Sequence, residues 1–169
     1  MKMFRLTSDE PMNFGKALLY STQMLFIAAV VSVVFGSVAA MFCWIFRPEA
    51  PLPTQTDRGF FVQHGLLTRF LLFALCAAIE EIVRCFCVWI FCRHSKNVSM
   101  VWIFIAIMNA IWAIPLHDAS AILYVPIFFM GVMLSIVFFR TSNQGQRFWQ
   151  GLFCATLVHC GMNFVASMF

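Results

Sequence analysis

The sequence predicts an all-α protein, a polytopic transmembrane helical bundle of about five spans. Three observations carry that expectation. Hydrophobic residues make up 62% of the chain and charged residues 11%, against about 45–50% and about 25% in soluble domains. The apolar residues gather in long runs, each near the ~20 residues that a helix needs to cross a hydrocarbon core of about 30 Å. Polar, proline-bearing or basic stretches separate the runs. The 169 residues leave room for one compact bundle. Residues 1–16 read as a cytoplasmic N-terminal segment and 17–169 as a single transmembrane helical domain.

Each span follows from its own run. The first, residues 17–46, is "ALLYSTQMLFIAAVVSVVFGSVAAMFCWIF". The preceding "MKMFRLTSDEPMNFGK" mixes acidic and basic residues, and no small-residue cleavage site follows a short apolar core. The run is therefore expected to be a retained span rather than a secretory signal. The connector "RPEAPLPTQTDRG" has the prolines and charges of a surface loop. The second span, 66–92, is apolar apart from "AIEEIVRC" near its middle. The third, 99–116, closes on "AIPLHD", where Pro115 should kink or stop a helix, and Asp118 suits the cap of the next. The fourth, 120–139, stops at Arg140, and the fifth, 147–169, is "RFWQGLFCATLVHCGMNFVASMF".

Basic residues set the orientation. With the N-terminus in the cytoplasm, Lys2, Arg5, Lys16, Arg93, Lys96, Arg140 and Arg147 fall on the inner side, and Arg47, Arg58 and Arg69 on the outer. The excess inside favours N-in. The formal charge of +4 is accounted for by these flanking residues and calls for no nucleic-acid partner. The seven cysteines lie mostly in apolar runs without a CxxC pair. They read as small buried hydrophobes rather than a disulfide scaffold or zinc ribbon.

Few ionisable side chains remain at membrane depth: Glu80, Glu81, Arg84, His159 and, near a boundary, His117. A charge near a helix centre costs about 2.5–3.5 kcal/mol on insertion scales, so three unpaired would cost on the order of 7–10 kcal/mol. Arg84, three residues after Glu81 and four after Glu80, can reach either carboxylate. An ion pair needs only one of them, and the surplus carboxylate is the functional clue. Held between desolvation, its neighbour and the guanidinium, a glutamate can both take and give a proton, as a general base must. The plain alternative is a structural ion pair between helices. In the fifth span His159 and Asn163 share a face, with Gly161 between them allowing close approach. Interhelical hydrogen bonding is their plain reading; a binding face beside the charged triplet is the functional one. His117 is otherwise an ordinary interfacial residue. His64 and His94 are expected in loops, without a role.

The order of these residues, a doubled glutamate, a histidine closing the next span and His159-x-x-x-Asn163 in the last, resembles the CPBP family of intramembrane proteases. That family comprises the CAAX prenyl proteases and bacteriocin-processing (Abi) proteins. The resemblance covers residues 70–169. The first motif is one residue shorter than the family's Glu-Glu-x-x-x-Arg, and Ala113 stands where the second has phenylalanine. The shorter spacing is closer to a neighbouring family of bacterial intramembrane proteases in which lysine replaces the arginine. The resemblance implies an intramembrane endopeptidase acting on a peptide or protein substrate at the lipid bilayer. Glu80, with Glu81 as alternate, would activate water, His117 would orient it, and His159 and Asn163 would stabilise the oxyanion. Arg84 would hold the glutamate pair. The chain's brevity points to a bacterial member, in the inner membrane. Glu80, His117 and His159 also match the ligand count of a catalytic zinc, although the His-Glu-x-x-His spacing is absent; otherwise no cofactor is expected. Two non-peptidase readings remain: a non-catalytic membrane immunity or partner-binding protein, and a proton-coupled transporter. Against the transporter, no inverted repeat is visible.

Overall fold

The computed structural model describes residues 11–46, 65–95, 97–116 and 121–166. They form five α-helices, and no strand occurs among the described residues. The helices are α1 (Phe14–Phe46), α2 (Leu66–His94), α3 (Val98–Leu116), α4 (Ala121–Thr141) and α5 (Phe148–Ala166). The boundaries follow the sequence signals closely. Helix α1 is described up to Phe46, the last residue of the first apolar run. Pro115 falls in the last turn of α3, one residue before its end. The expectation for His94 needs correction: it closes α2 rather than lying in a loop, and its Nδ1 is 2.8 Å from the Ile90 carbonyl oxygen. A helix C-terminus presents unpaired carbonyls that such a side chain satisfies. His64, His117 and Asp118 lie outside the described residues.

Helix α5 is central, packing on α1, α2 and α4, while α3 sits against α4 and α2. Its position follows from composition. Gly151, Cys154, Ala155, Val158 and Cys160 bury almost all round it, and small side chains let neighbouring backbones come close. Helix α1 answers with Ala17, Ser21 and Ala28 buried along one side. Gly161 meets it as the sequence suggested: a Cβ there would lie 2.8 Å from Leu25 Cδ2. The buried residues of α2 are Phe73, Ala77, Glu81, Arg84, Cys85 and Val88, a stripe at helical spacing that includes two charges. Phe91 of α2 stacks on Phe104 of α3 with ring centroids 4.2 Å apart.

Two polar devices fix the remaining helices. In the turn from α4 to α5, Asn143, Gln144 and Gly145 all have positive φ, of 51°, 58° and 89°. Trp89 Nε1 of α2 donates to the Gly145 carbonyl at 3.1 Å. A side chain at Gly145 would be strained by its φ and would press on the Trp89 ring at 3.0 Å. Between α3 and α4, buried Asn109 donates through Nδ2 to the Ile105 carbonyl at 2.9 Å and to Ser135 Oγ at 3.0 Å. Ser135 in turn donates to the Gly131 carbonyl at 2.9 Å.

Among the described residues, one segment, Phe14–Val34 of α1, is long and apolar enough by length and composition to cross a membrane. Ser99–Ala113 and Val125–Thr141 are apolar but shorter, and α2 carries Glu80, Glu81 and Arg84 along its middle.

The Asn109 clamp leaves no room at Gly131, where an added Cβ would overlap the carboxamide, its Cγ only 2.9 Å away. Gly131→Ala is therefore expected to destabilise the protein by about 1–3 kcal/mol. A lowered thermal midpoint of the purified full chain is the check; an unchanged midpoint would contradict the clamp.

Candidate functional site

Helix α2 brings Glu80, Glu81 and Arg84 to the boundary with α5, and α5 brings His159 to the same place. The stripe that buries α2 runs through Glu81, whose side chain is 0% exposed, and Arg84, at 4%. Glu80 is rotated about 100° round the helix from Glu81, which moves it to the edge of the contact, with its side chain 34% exposed.

Glu81 is the hub. Its Oε1 accepts a hydrogen bond from Arg84 Nη1, within a direct ion pair. The same oxygen lies 2.8 Å from Nδ1 of His159, which is 8% exposed. A carboxylate oxygen accepts, so Nδ1 carries the proton and donates. The other ring nitrogen, Nε2, then faces Glu80, 3.8 Å from its Oε2. Arg84 Nη2 is 4.0 Å from that same Oε2. The guanidinium thus reaches both carboxylates, as the spacing allowed, but holds Glu81 far more closely. With the imidazole protonated, the four groups sum to zero formal charge, and the surplus carboxylate of the sequence has its partner in His159.

Two neighbours complete the surroundings. Cys85 Sγ lies 3.8 Å from Glu81 Oε2, and the Arg84 guanidinium carbon sits 5.9 Å from the centroid of the Trp112 ring on α3. Arg84 Nε and Trp112 Nε1 are both buried without a hydrogen-bond partner among the described residues. Sequence reasoning missed both neighbours. Cys85 was findable, four residues after Glu81 on one face; Trp112 carries no signal separating it from any other aromatic in an apolar run. It also missed Asn109, the one amide inside the third span.

Asn163 lies one turn beyond His159, half-buried, and outside the hydrogen-bonded cluster. His117 falls outside the described residues, so the pocket expected between it and the acid pair is not on view. The zinc alternative also needs His117. The described residues alone hold no group of three or more His, Cys, Asp or Glu placed to bind a metal ion. The Arg84 guanidinium already occupies the cationic place beside both carboxylates, a poor setting for a second cation.

The fold and site define a class: an all-helical bundle with an ionic cluster buried between its central helix and a neighbour. Beyond that class, no protein-family model, no curated protein and no solved structure matches this chain.

Breaking a buried pair from one side leaves an uncompensated charge. Glu81→Gln is accordingly expected to cost about 3–5 kcal/mol, and Glu80→Gln, at the edge, no more than about 1 kcal/mol. Combining Glu81→Gln with Arg84→Gln should cost less than the two single changes summed. Thermal unfolding of the four variants supplies the comparison, and additive losses would mean that the pair is not coupled.

Proposed function

We propose that this chain is a polytopic integral membrane protein and an intramembrane peptidase, with Glu80 activating water beside His159. The membrane reading rests on an inverted pattern along α2. Glu81 and Arg84 are buried, whereas Ile79, Ile82, Val83 and Phe86 are exposed. Water would favour the reverse. Hydrocarbon requires this arrangement, since it penalises exposed charge and accepts exposed aliphatic side chains. Exposed large apolar residues continue along the other helices, among them Phe26, Ile111 and Val125. The five-span, N-inside arrangement is supported by the apolar runs and the basic residues that flank them.

One observation carries the catalytic reading: the two glutamates have different surroundings. Glu81 is locked by Arg84 and His159, while Glu80 keeps an open side next to Nε2 of an imidazole that Glu81 orients. That divides the work. Glu80 accepts a proton from water, and the oxygen attacks the carbonyl carbon of a peptide held between the helices. His159, carrying a proton on Nε2 as well as on Nδ1, donates from Nε2 to the developing oxyanion, and Glu80 passes the proton it took from water to the leaving amine. Asn163 offers a second donor from the next turn of the same helix, and His117 orients the water. Arg84 and Glu81 position the imidazole rather than react. The resemblance of the Glu80-Glu81, His117 and His159-x-x-x-Asn163 order to the CPBP proteases points to the same chemistry. The substrate is a peptide or protein segment reached from the bilayer.

A second reading has its own observation. The Glu81–Arg84–His159 contact joins α2 to α5, and such a tie would serve a non-catalytic immunity or partner-binding protein equally well.

Glu80→Gln separates the two. It is expected to reduce cleavage of membrane-anchored reporter peptides, co-reconstituted with the full chain, at least about a hundredfold while the protein stays folded. Cleavage by the variant at the wild-type rate would sink the peptidase reading. Proton flux into proteoliposomes that depends on Glu80, with no peptide cut, would favour a transporter instead.

A further inference from the structure

Opposite in character to the acid pair is a groove of about 600 Å³ where the end of α2 meets the start of α5. It is lined by Trp89, Arg93, Gln144, Arg147, Trp149 and Gln150, among others. Arg93 lies twelve residues after Glu81, and Arg147 twelve before His159, so the groove is about 18 Å along the helices from the ionic cluster. We propose that this groove binds the phosphate headgroup of an anionic phospholipid. The inference rests on the membrane reading above, though not on the peptidase chemistry.

Three features point to that ligand. Both arginines are exposed and have no carboxylate partner among the described residues. Arg93 lies over the Trp89 ring, 4.8 Å from its centroid, and Arg147 donates through Nη1 to the Met12 carbonyl at 2.9 Å. Each guanidinium is thereby held in place with donors to spare, and its planar fork suits phosphate oxygens. Second, the floor is fixed: Trp89 is tied to the Gly145 carbonyl, and Gln150 Nε2 donates to the Thr141 carbonyl at 2.8 Å. Third, an apolar track leaves the groove along α5. Trp149 is 78% exposed, Phe153 is exposed one turn on, and its ring centroid is 5.8 Å from that of exposed Phe14. A soluble phosphate has no use for such a track, whereas acyl chains do. Tryptophan beside arginine at the end of an apolar helix is the composition of a headgroup-level site.

The test uses the full-length protein, extracted in mild detergent from membranes containing phosphatidylglycerol and phosphatidylcholine, with retained lipid read by native mass spectrometry. Wild type is expected to retain phosphatidylglycerol in preference to phosphatidylcholine. Arg93→Gln and Arg147→Gln should each lower that preference about fivefold. Equal retention of the two lipids by wild type would overturn the proposal without recourse to any variant. So would a folded double variant that keeps phosphatidylglycerol as wild type does. Binding of inorganic phosphate through both arginines, with no preference between lipids, would assign the groove to a soluble anion and overturn the lipid source. Release of the protein from membranes by alkaline carbonate would overturn this proposal and the membrane reading together, an outcome distinct from lost lipid preference.

Discussion

The contact on which the rest of this structure depends is the one between Glu81, Arg84 and His159. It joins α2 to the central helix, and every member is nearly or wholly buried. Desolvating an ion pair costs several kcal/mol per ion, and attraction between the partners offsets this only when geometry and additional hydrogen bonds are good. Here the carboxylate oxygen accepts from both a guanidinium and an imidazole. Rotating α2 by one residue would instead bury Ile82 or Glu80 and expose a charge to its surroundings. The tie therefore fixes the rotational setting of α2, and with it which apolar residues face outward.

From that setting comes the division between the two glutamates. They are adjacent in sequence and chemically identical, and only the helix turn between them gives one a locked place and the other an open edge. Glu81 is spent on holding His159 in one orientation; Glu80 retains lone pairs that no side chain saturates. A single glutamate could have made the interhelical tie. On the proposed reading, the doubling gives the chain both a positioning carboxylate and a reactive one on the same helix, which is the support that a reacting group requires.

Much of this was readable before any coordinates. The five helices follow the apolar runs to within a few residues, because charges and prolines bound each run sharply, as at Arg47-Pro48 and Arg140. The convergence of the acid pair on His159 was readable from the cost of leaving such groups in an apolar medium. What the sequence did not carry was rotation. Nothing in "AIEEIVRC" says which glutamate faces α5, since apolar residues flank both; the contact with His159 sets it, on the same stripe that buries Ala77 and Val88. The Asn109–Ser135 clamp and the Trp89–Gly145 bond were equally hidden. Each joins residues far apart in the chain whose types are common in any helix, so no local pattern marks the pair. Asn163 shows the limit from the other side: sharing a face with His159 did not bring it into the cluster.

The placement of rigidity bears on function as much as the placement of charge. Helix α5 is packed on three neighbours and carries His159, so the imidazole sits on the central helix of the described bundle. Helix α3 leans on α4 through the Asn109 clamp and on α2 through stacked aromatic rings, and its Trp112 ring covers the Arg84 guanidinium. A path to the open side of Glu80 is therefore shaped at the margin of the bundle rather than at its centre. Chemistry that needs water in a dry medium gains from this arrangement. On the proposed reading, the central helix holds the imidazole while Glu80 opens at the margin, so positioning and access fall to different parts of the bundle.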